Sequence, residues 1–176
     1  DTVLDGDYIE EAEKLLADSS WGCLGSKGII DKNLYLPDWF SEYEGHYTIG
    51  VPSSAKDWVW GACCIIKMSV WKKLRKKNFQ IQLNPKRVNH SHPIGFGGED
   101  TELSLAIYML GYKVQFIKQL KFIHKFEQKR LNQKYFLENV RGVCRSIPIL
   151  EIYRLVIYKS NILFPKIFWI LILFKI

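Results

Sequence analysis

Two acidic residues follow a glycine-rich stretch in the middle of the chain, where residues 95–103 read GFGGEDTEL. Glycines such as Gly97 and Gly98 allow a loop to pass close to a substrate. Glu99 and Asp100 then begin a helical pattern, where the helix dipole favours an ionised carboxylate. A carboxylate that faces a pocket from this position can remove a proton from a hydroxyl nucleophile. An ordinary acidic helix start after a glycine loop also fits the pattern and involves no chemistry.

Several segments in addition to this one resemble the family-2-type glycosyltransferases that have a GT-A fold. Residues 95–103 are similar to the acidic motif of that family, and residues 58–62, WVWGA, are similar to the segment that lines its site upstream. The helical pattern at 69–77 and the strand pattern that ends at residue 124 continue the resemblance, which covers about residues 1–126. It implies an enzyme that transfers a sugar, with inversion, from a nucleotide-diphosphate sugar to a carbohydrate or glycolipid hydroxyl.

The resemblance also implies roles for individual residues. Asp100 would be the catalytic base, and Glu99 would contact the acceptor together with the flexible Gly97 and Gly98. Trp60 and Gly61 would bind the substrate from the upstream segment. Trp58 and Trp60 are both candidates for stacking on a sugar, and we expect one of these indoles to lie in the core instead.

A metal site follows from the same resemblance. Asp1 would be the last residue of the family's D-x-D motif and a ligand of Mn²⁺ or Mg²⁺, and His124 would complete the site. Residues 5–7 are a literal D-x-D, but Asp7 is better placed to cap the helix that follows. His90 and His92 are not joined by a Cys or His pair that would make a zinc set; acceptor contact, or no role, remains open for them.

The elements that must position these residues follow from periodicity and from glycine and proline. We predict helices at about 8–18, from Ser69 to about Lys77, at 99–110 and at about 128–146. Strands are predicted at 21–30, at 58–67, and at 112–124 as two short strands around Lys118-Gln119, with long loops at 31–55 and 78–98. These elements indicate an α/β fold class, and the resemblance implies a GT-A-like mixed sheet flanked by helices. The family's N-terminal nucleotide-binding half would precede it, and without that half we expect weak donor binding.

Charge is unevenly distributed along the 176 residues, whose net charge is +7. Residues 1–60 carry 12 acidic and 4 basic side chains, and residues 61–176 carry 6 and 21. A basic second half favours anionic partners such as donor phosphates or acidic lipids. Nucleic acid is not expected, because the basic residues are interleaved with core positions and no zinc-finger or helix-turn-helix pattern occurs. The 4 Cys lack C-x-x-C spacing, which indicates buried reduced thiols.

The composition changes at Ile147, after which the chain is rich in apolar residues and has only scattered Lys and Arg. The wholly apolar run 167–174 is far shorter than the ~20 residues that span a bilayer. It fits an interfacial segment on an anionic leaflet, or a helix packed on protein. The resemblance implies a partial catalytic domain at 1–126 that works at the cytoplasmic face of a membrane, and we predict a helical, basic and apolar extension at 127–176. The alternative is a non-catalytic, membrane-peripheral binding module or an inactive remnant of such an enzyme.

Overall fold

A mixed four-stranded sheet, flanked by helices, organises the chain, as the sequence predicted. The computed structural model describes residues 2–52, 56–83 and 97–159. The strands are β1 (Thr2–Leu4), β2 (Trp21–Ile30), β3 (Ile65–Ile66) and β4 (Lys113–His124). The helices are α1 (Tyr8–Leu16), α2 (Phe40–Tyr43), α3 (Met68–Lys76), α4 (Glu99–Met109) and α5 (Gln133–Lys159), with 3₁₀ turns at Glu44–Tyr47 and Gln128–Arg130. Among the described residues, no helix is long and apolar enough to cross a membrane.

Strands β2 and β4 run parallel at the centre of the sheet, whose order is β1-β4-β2-β3. The outer strands pair antiparallel, β1 with β4 and β3 with β2. The register steps from Ser26–Ile117 to Lys27–Lys121, so residues 118–120 bulge out of the β2 ladder. The two short strands predicted around Lys118-Gln119 are thus one strand with a bulge at that place.

Helix α1 begins where the sequence predicted, but it is held differently. Asp7 occupies the N-cap position as predicted, but its side chain makes no capping hydrogen bond. Ile9 is exposed, whereas Tyr8 and Ala12 face the core. The Tyr8 hydroxyl contacts the Ser26 hydroxyl and donates to the carbonyl oxygen of Cys63, so a buried phenol fixes the start of the helix.

The strand predicted at 58–67 is wrong for most of its length, because only Ile65–Ile66 pair as a strand. Its apolar composition reflects burial: Val59 is fully buried in the main core cluster. The backbone finds its hydrogen-bond partners on α4 instead of in a ladder. The Val59 N–H donates to the Ser104 hydroxyl at 3.2 Å, and the Gly61 N–H donates to the Asp100 carboxylate at 2.8 Å.

The helices on either side of the site also differ from expectation. Helix α3 begins at Met68, with Lys67 and not Ser69 at its N-cap. Helix α5 starts later than predicted and continues through Pro148 to Lys159, past the predicted end at 146. Its buried Leu150 packs with Leu83 and Leu105, so this helix covers α4. The apolar run 167–174 lies outside the described residues.

Candidate functional site

The carboxylate of Asp100 lies in the first turn of α4 and is fixed by backbone donors. One oxygen accepts the Gly61 N–H at 2.8 Å, and the other accepts the Thr101 N–H at 2.7 Å. The Ser104 hydroxyl donates to the carbonyl oxygen of Asp100 at 2.8 Å, one turn further along. These bonds orient Asp100. Because an ionised carboxylate has about four acceptor positions, it can still accept a hydrogen bond from a further donor.

A cavity of about 150 Å³ lies next to this carboxylate. Asp100 and Glu99 line it from α4, and Gly61 lines it from the segment before β3. Its apolar wall comes from β2, β3, the loops around residues 59–64 and 81, and α4: Cys23, Val59, Cys64, Ile66, Ile81 and Leu103. Pockets that enclose a whole ligand usually exceed roughly 300 Å³. This one suits a single hydroxyl-bearing part of a larger molecule.

The two glycines before α4 bring the chain against α5. The Gly97 N–H donates to the carbonyl oxygen of Gly142 at 3.1 Å. Gly98 has φ +91°, and a Cβ atom there would lie 3.2 Å from the Ser146 hydroxyl and 3.3 Å from Leu150. Close approach is therefore required here, and the neighbour that requires it is a helix of the same chain; contact of these glycines with a substrate stays a prediction.

The two tryptophans upstream of Gly61 occupy different environments. Trp60 is only 5% exposed, and its indole N–H donates to the carbonyl oxygen of Ser26 at 3.1 Å. Its ring packs edge-on against Phe116, so we assign Trp60 to the core instead of to sugar stacking. Trp58 is half-buried and packs on the same cluster. The expectation that one of these indoles is a core residue is confirmed for Trp60.

His124 ends β4 with its ring orientation fixed. Its Nδ1 lies 2.8 Å from the carbonyl oxygen of Tyr47, which can only accept, so Nδ1 carries the proton and Nε2 has the lone pair. Burial lowers the pKa of His124 below its usual value, so the ring is neutral near pH 7. A neutral imidazole whose Nδ1–H is held by a backbone carbonyl is the usual form of a metal-binding histidine.

The described residues include only part of the predicted metal site. Thr2, the residue that follows Asp1, pairs with His124 across β1 and β4. Asp1 itself lies outside the described residues, as do His90 and His92. Within the described ranges, no group of three His, Cys, Asp or Glu side chains is arranged to hold a metal ion.

Sequence reasoning missed the role of Glu102, the last acid of the GGEDTE run. Glu102 is fully buried, and its carboxylate accepts the N–H groups of Gln82 and Leu83 at 2.9 and 2.8 Å. The Tyr153 hydroxyl donates to it at 2.7 Å. The carboxylate thereby joins α4, the loop before residue 84 and α5. The spacing of the acids could have suggested a buried position, but not these partners.

An aromatic cleft was also missed. It has a volume of about 320 Å³ and is lined by Trp39, Tyr43, Gln133, Phe136 and Leu137. The rings of Tyr43 and Phe136 lie 4.8 Å apart, which joins the end of α2 to the start of α5. No periodic pattern relates residues that are so distant in sequence.

Comparison with known proteins adds no assignment. No protein-family model matches this chain, and no curated protein matches it.

Proposed function

We propose that the chain forms the acceptor side of an inverting glycosyltransferase, which moves a sugar from a nucleotide-diphosphate donor to an acceptor hydroxyl. The acceptor would be a carbohydrate or glycolipid in polysaccharide or glycolipid synthesis. One observation supports this most directly. The Asp100 carboxylate, within the GGEDTE run, is oriented by two backbone N–H groups and lines a small cavity.

The proposed chemistry requires Asp100 to receive one proton. The acceptor hydroxyl hydrogen-bonds to a free lone pair of the carboxylate, and its oxygen attacks the anomeric carbon from the face opposite the leaving diphosphate. Asp100 takes the proton as the new bond forms. Attack from the opposite face inverts the configuration at the anomeric carbon. The hydrogen bonds from Gly61 and Thr101 keep the carboxylate from rotating away, so the geometry exists before the acceptor arrives.

A divalent cation, Mn²⁺ or Mg²⁺, is part of the proposal. Asp1 and His124 would hold it, and when bound it would offset the charge of the donor diphosphate. The Nδ1 contact of His124 with Tyr47 supports this, because it holds the proton on Nδ1 and leaves the lone pair on Nε2. Mn²⁺ suits a mixed nitrogen and oxygen set better than Mg²⁺ does, since Mg²⁺ prefers oxygen ligands.

The substitution Asp100→Asn tests the catalytic role. It retains the size of the side chain and an oxygen acceptor but removes the base, so we expect transfer to fall by about 10²–10⁴-fold. The measurement is nucleoside-diphosphate release and product formation by the protein encoded by the complete reading frame that contains these residues, across a panel of donors and acceptors. Glu10→Gln, in the exposed first turn of α1, is the matched control. Near-normal turnover by Asp100→Asn would remove Asp100 as the base.

Manganese binding tests the metal site without relying on turnover. We expect His124→Asn to weaken Mn²⁺ binding by roughly tenfold or more, because it removes the imidazole lone pair. The loss of the free Mn²⁺ signal in electron paramagnetic resonance measures the affinity. His46→Asn serves as the control, since His46 lies at a different surface site beside Phe136. Equal affinity in both variants would exclude His124 as a ligand.

The proposed location is the cytoplasmic face of a membrane, and a non-catalytic membrane-peripheral module remains the second candidate. Exposed apolar side chains on α5 favour a membrane contact, namely Leu137 at 49% and Ile147 at 45% exposed. Arg141, also exposed, lies between them on the helix and could meet anionic headgroups. In the enzyme this surface would place the acceptor side near a lipid-linked substrate; in a binding module it would be the working surface itself.

A further inference from the structure

Two cysteines share the cavity beside Asp100. Cys23 lies on β2 opposite Ile66 of β3, and Cys64 is two residues before Ile66. Cys64 directly precedes β3 and packs against the core cluster that contains Cys23. Both thiols line the cavity next to the carboxylate.

The neighbouring Cys63 faces the other way. It packs with the cluster of Tyr8, Leu24 and Leu120, whereas Cys64 packs with the cluster that contains Cys23. The left-handed backbone at Cys63, with φ +52°, accompanies this separation. The cavity therefore has one pair of thiols, and Cys63 is not the partner of either.

The two thiols differ in the way that disulfide chemistry requires. Contact with Cys23 lowers the pKa of the half-buried Cys64 thiol. The same contact, together with burial, raises the pKa of Cys23, which is only 2% exposed. Cys64, the more exposed of the two, is thus the attacking thiol and Cys23 the buried resolving thiol, because the thiolate is the nucleophile.

We propose that Cys23 and Cys64 are an oxidative modification site, a dithiol that small disulfides convert to an intramolecular disulfide in the wall of the Asp100 cavity. The Cys64 thiolate attacks one sulfur of the small disulfide and releases the first small thiol, leaving a mixed disulfide on Cys64. The Cys23 sulfur, after losing its proton to solvent, attacks Cys64 and releases the second small thiol. The two protein thiols are oxidised and the small disulfide is reduced to two thiols, so the exchange balances.

Oxidation at this place acts on the carboxylate through a short turn. The Cys64 N–H donates to the carbonyl oxygen of Gly61 at 3.4 Å, and the Gly61 N–H holds Asp100 at 2.8 Å. A bond that draws Cys64 toward Cys23 shifts this turn and disturbs the Gly61–Asp100 contact. Control of catalysis by this route rests on the proposed function; the disulfide itself does not.

The experiment treats the full reduced chain with 2-hydroxyethyl disulfide, a small neutral oxidant, and maps peptides under non-reducing conditions. We expect a peptide pair linked through Cys23 and Cys64, lighter by two hydrogen atoms than the reduced pair and separated again by dithiothreitol. Amide hydrogen exchange at Gly61 should rise several-fold on oxidation, since its N–H loses the Asp100 acceptor. A linked Cys63–Cys64 peptide, or modification confined to the exposed Cys144, would overturn the proposal.

Variants identify the order of events and keep the test independent of turnover. Cys23→Ala should stop at the mixed disulfide on Cys64, and Cys64→Ala should leave Cys23 reduced. Cys63→Ala is the matched control and should form the same linked pair as the parent chain. If the disulfide forms with no change in transfer, the dithiol stands and its control of Asp100 is excluded. If the disulfide forms and no transfer is detected in either redox state, the glycosyltransferase assignment fails and the dithiol still stands. If Cys23 stays reduced in the parent chain, the dithiol proposal fails whatever the enzyme does.

Discussion

Glu102 and Asp100 belong to the same turn of α4, yet their carboxylates have opposite surroundings. Asp100 is half-buried and borders a cavity, whereas Glu102 is fully enclosed. A buried carboxylate is costly unless hydrogen-bond donors replace the lost water. Gln82, Leu83 and Tyr153 provide those donors, so Glu102 positions the segment while Asp100 remains available for chemistry.

Tyr153→Phe tests this division at the residue scale. It removes one donor from a buried charge and changes little else, so we expect the free energy of unfolding to fall by about 1–3 kcal/mol at pH 7. Urea unfolding followed by circular dichroism measures the change. Tyr35→Phe is the control, because Tyr35 is 81% exposed and its replacement should shift stability by less than about 0.5 kcal/mol.

Alkaline pH provides an independent check on the same contact. Burial and the neighbouring Glu102 raise the pKa of Tyr153, and the pKa of Tyr158, which donates to Asp57, rises to about 12. A raised pKa in the folded state contributes stability that is fully present below the unfolded value of about 10 and is lost as pH rises above it. The parent chain should therefore lose more stability than Tyr153→Phe between pH 9 and 11, by roughly the amount in the previous experiment. Equal losses would contradict the buried contact.

At the scale of elements, the sequence correctly predicted the helices and strands whose ends are marked by a local feature such as a glycine. Strand β2 runs over Trp21–Ile30 as expected, and α4 begins at Glu99 and stops before Gly111, whose φ is +84°. The segment 58–67 was misread because a buried irregular chain and a buried strand have the same apolar composition. Its backbone partners, Ser104 and Asp100, lie about 40 residues further along and leave no periodic signal.

The contact between the loop before α4 and helix α5 provides the element-scale prediction. Gly98→Ala adds a methyl group 3.2 Å from the Ser146 hydroxyl, at a left-handed backbone position. We expect a loss of about 2–4 kcal/mol in unfolding free energy, from backbone strain together with crowding. Since the strain moves the first turn of α4, hydrogen exchange at Thr101 should also rise.

Gly111→Ala separates strain from crowding. Gly111 also has a left-handed backbone, with φ +84°, but nothing lies within 4 Å of an added Cβ. Its replacement should cost only about 1–2 kcal/mol and leave the exchange at Thr101 unchanged. If both variants lost the same stability, α5 would not be constraining the loop.

At the scale of the whole molecule, α5 is part of the packed fold well beyond the point where the sequence composition changes. Leu150 is buried with Leu83 and Leu105, and Tyr153 reaches the buried Glu102. The boundary of the apolar extension that composition suggests, near Ile147, therefore falls inside a helix that covers α4. Periodicity could not reveal this, because the stretch after Ile147 is apolar on several faces and Pro148 resembles a helix stop.

Truncation tests how far the packed fold extends. A chain that ends at Lys159 keeps all of α5, and one that ends at Ser146 loses Leu150 and Tyr153. We expect the shorter chain to unfold with at least about 3 kcal/mol less free energy, because it leaves Leu83 and Leu105 uncovered and removes a donor from Glu102. Urea unfolding of the two chains, in parallel with sedimentation on vesicles that contain phosphatidylserine, separates folding from membrane contact. Equal unfolding free energies would show that the part of α5 beyond Ser146 does not stabilise the fold. If the chain that ends at Lys159 still sediments with the vesicles, the membrane contact is assigned to the exposed face of α5 that carries Leu137, Arg141 and Ile147.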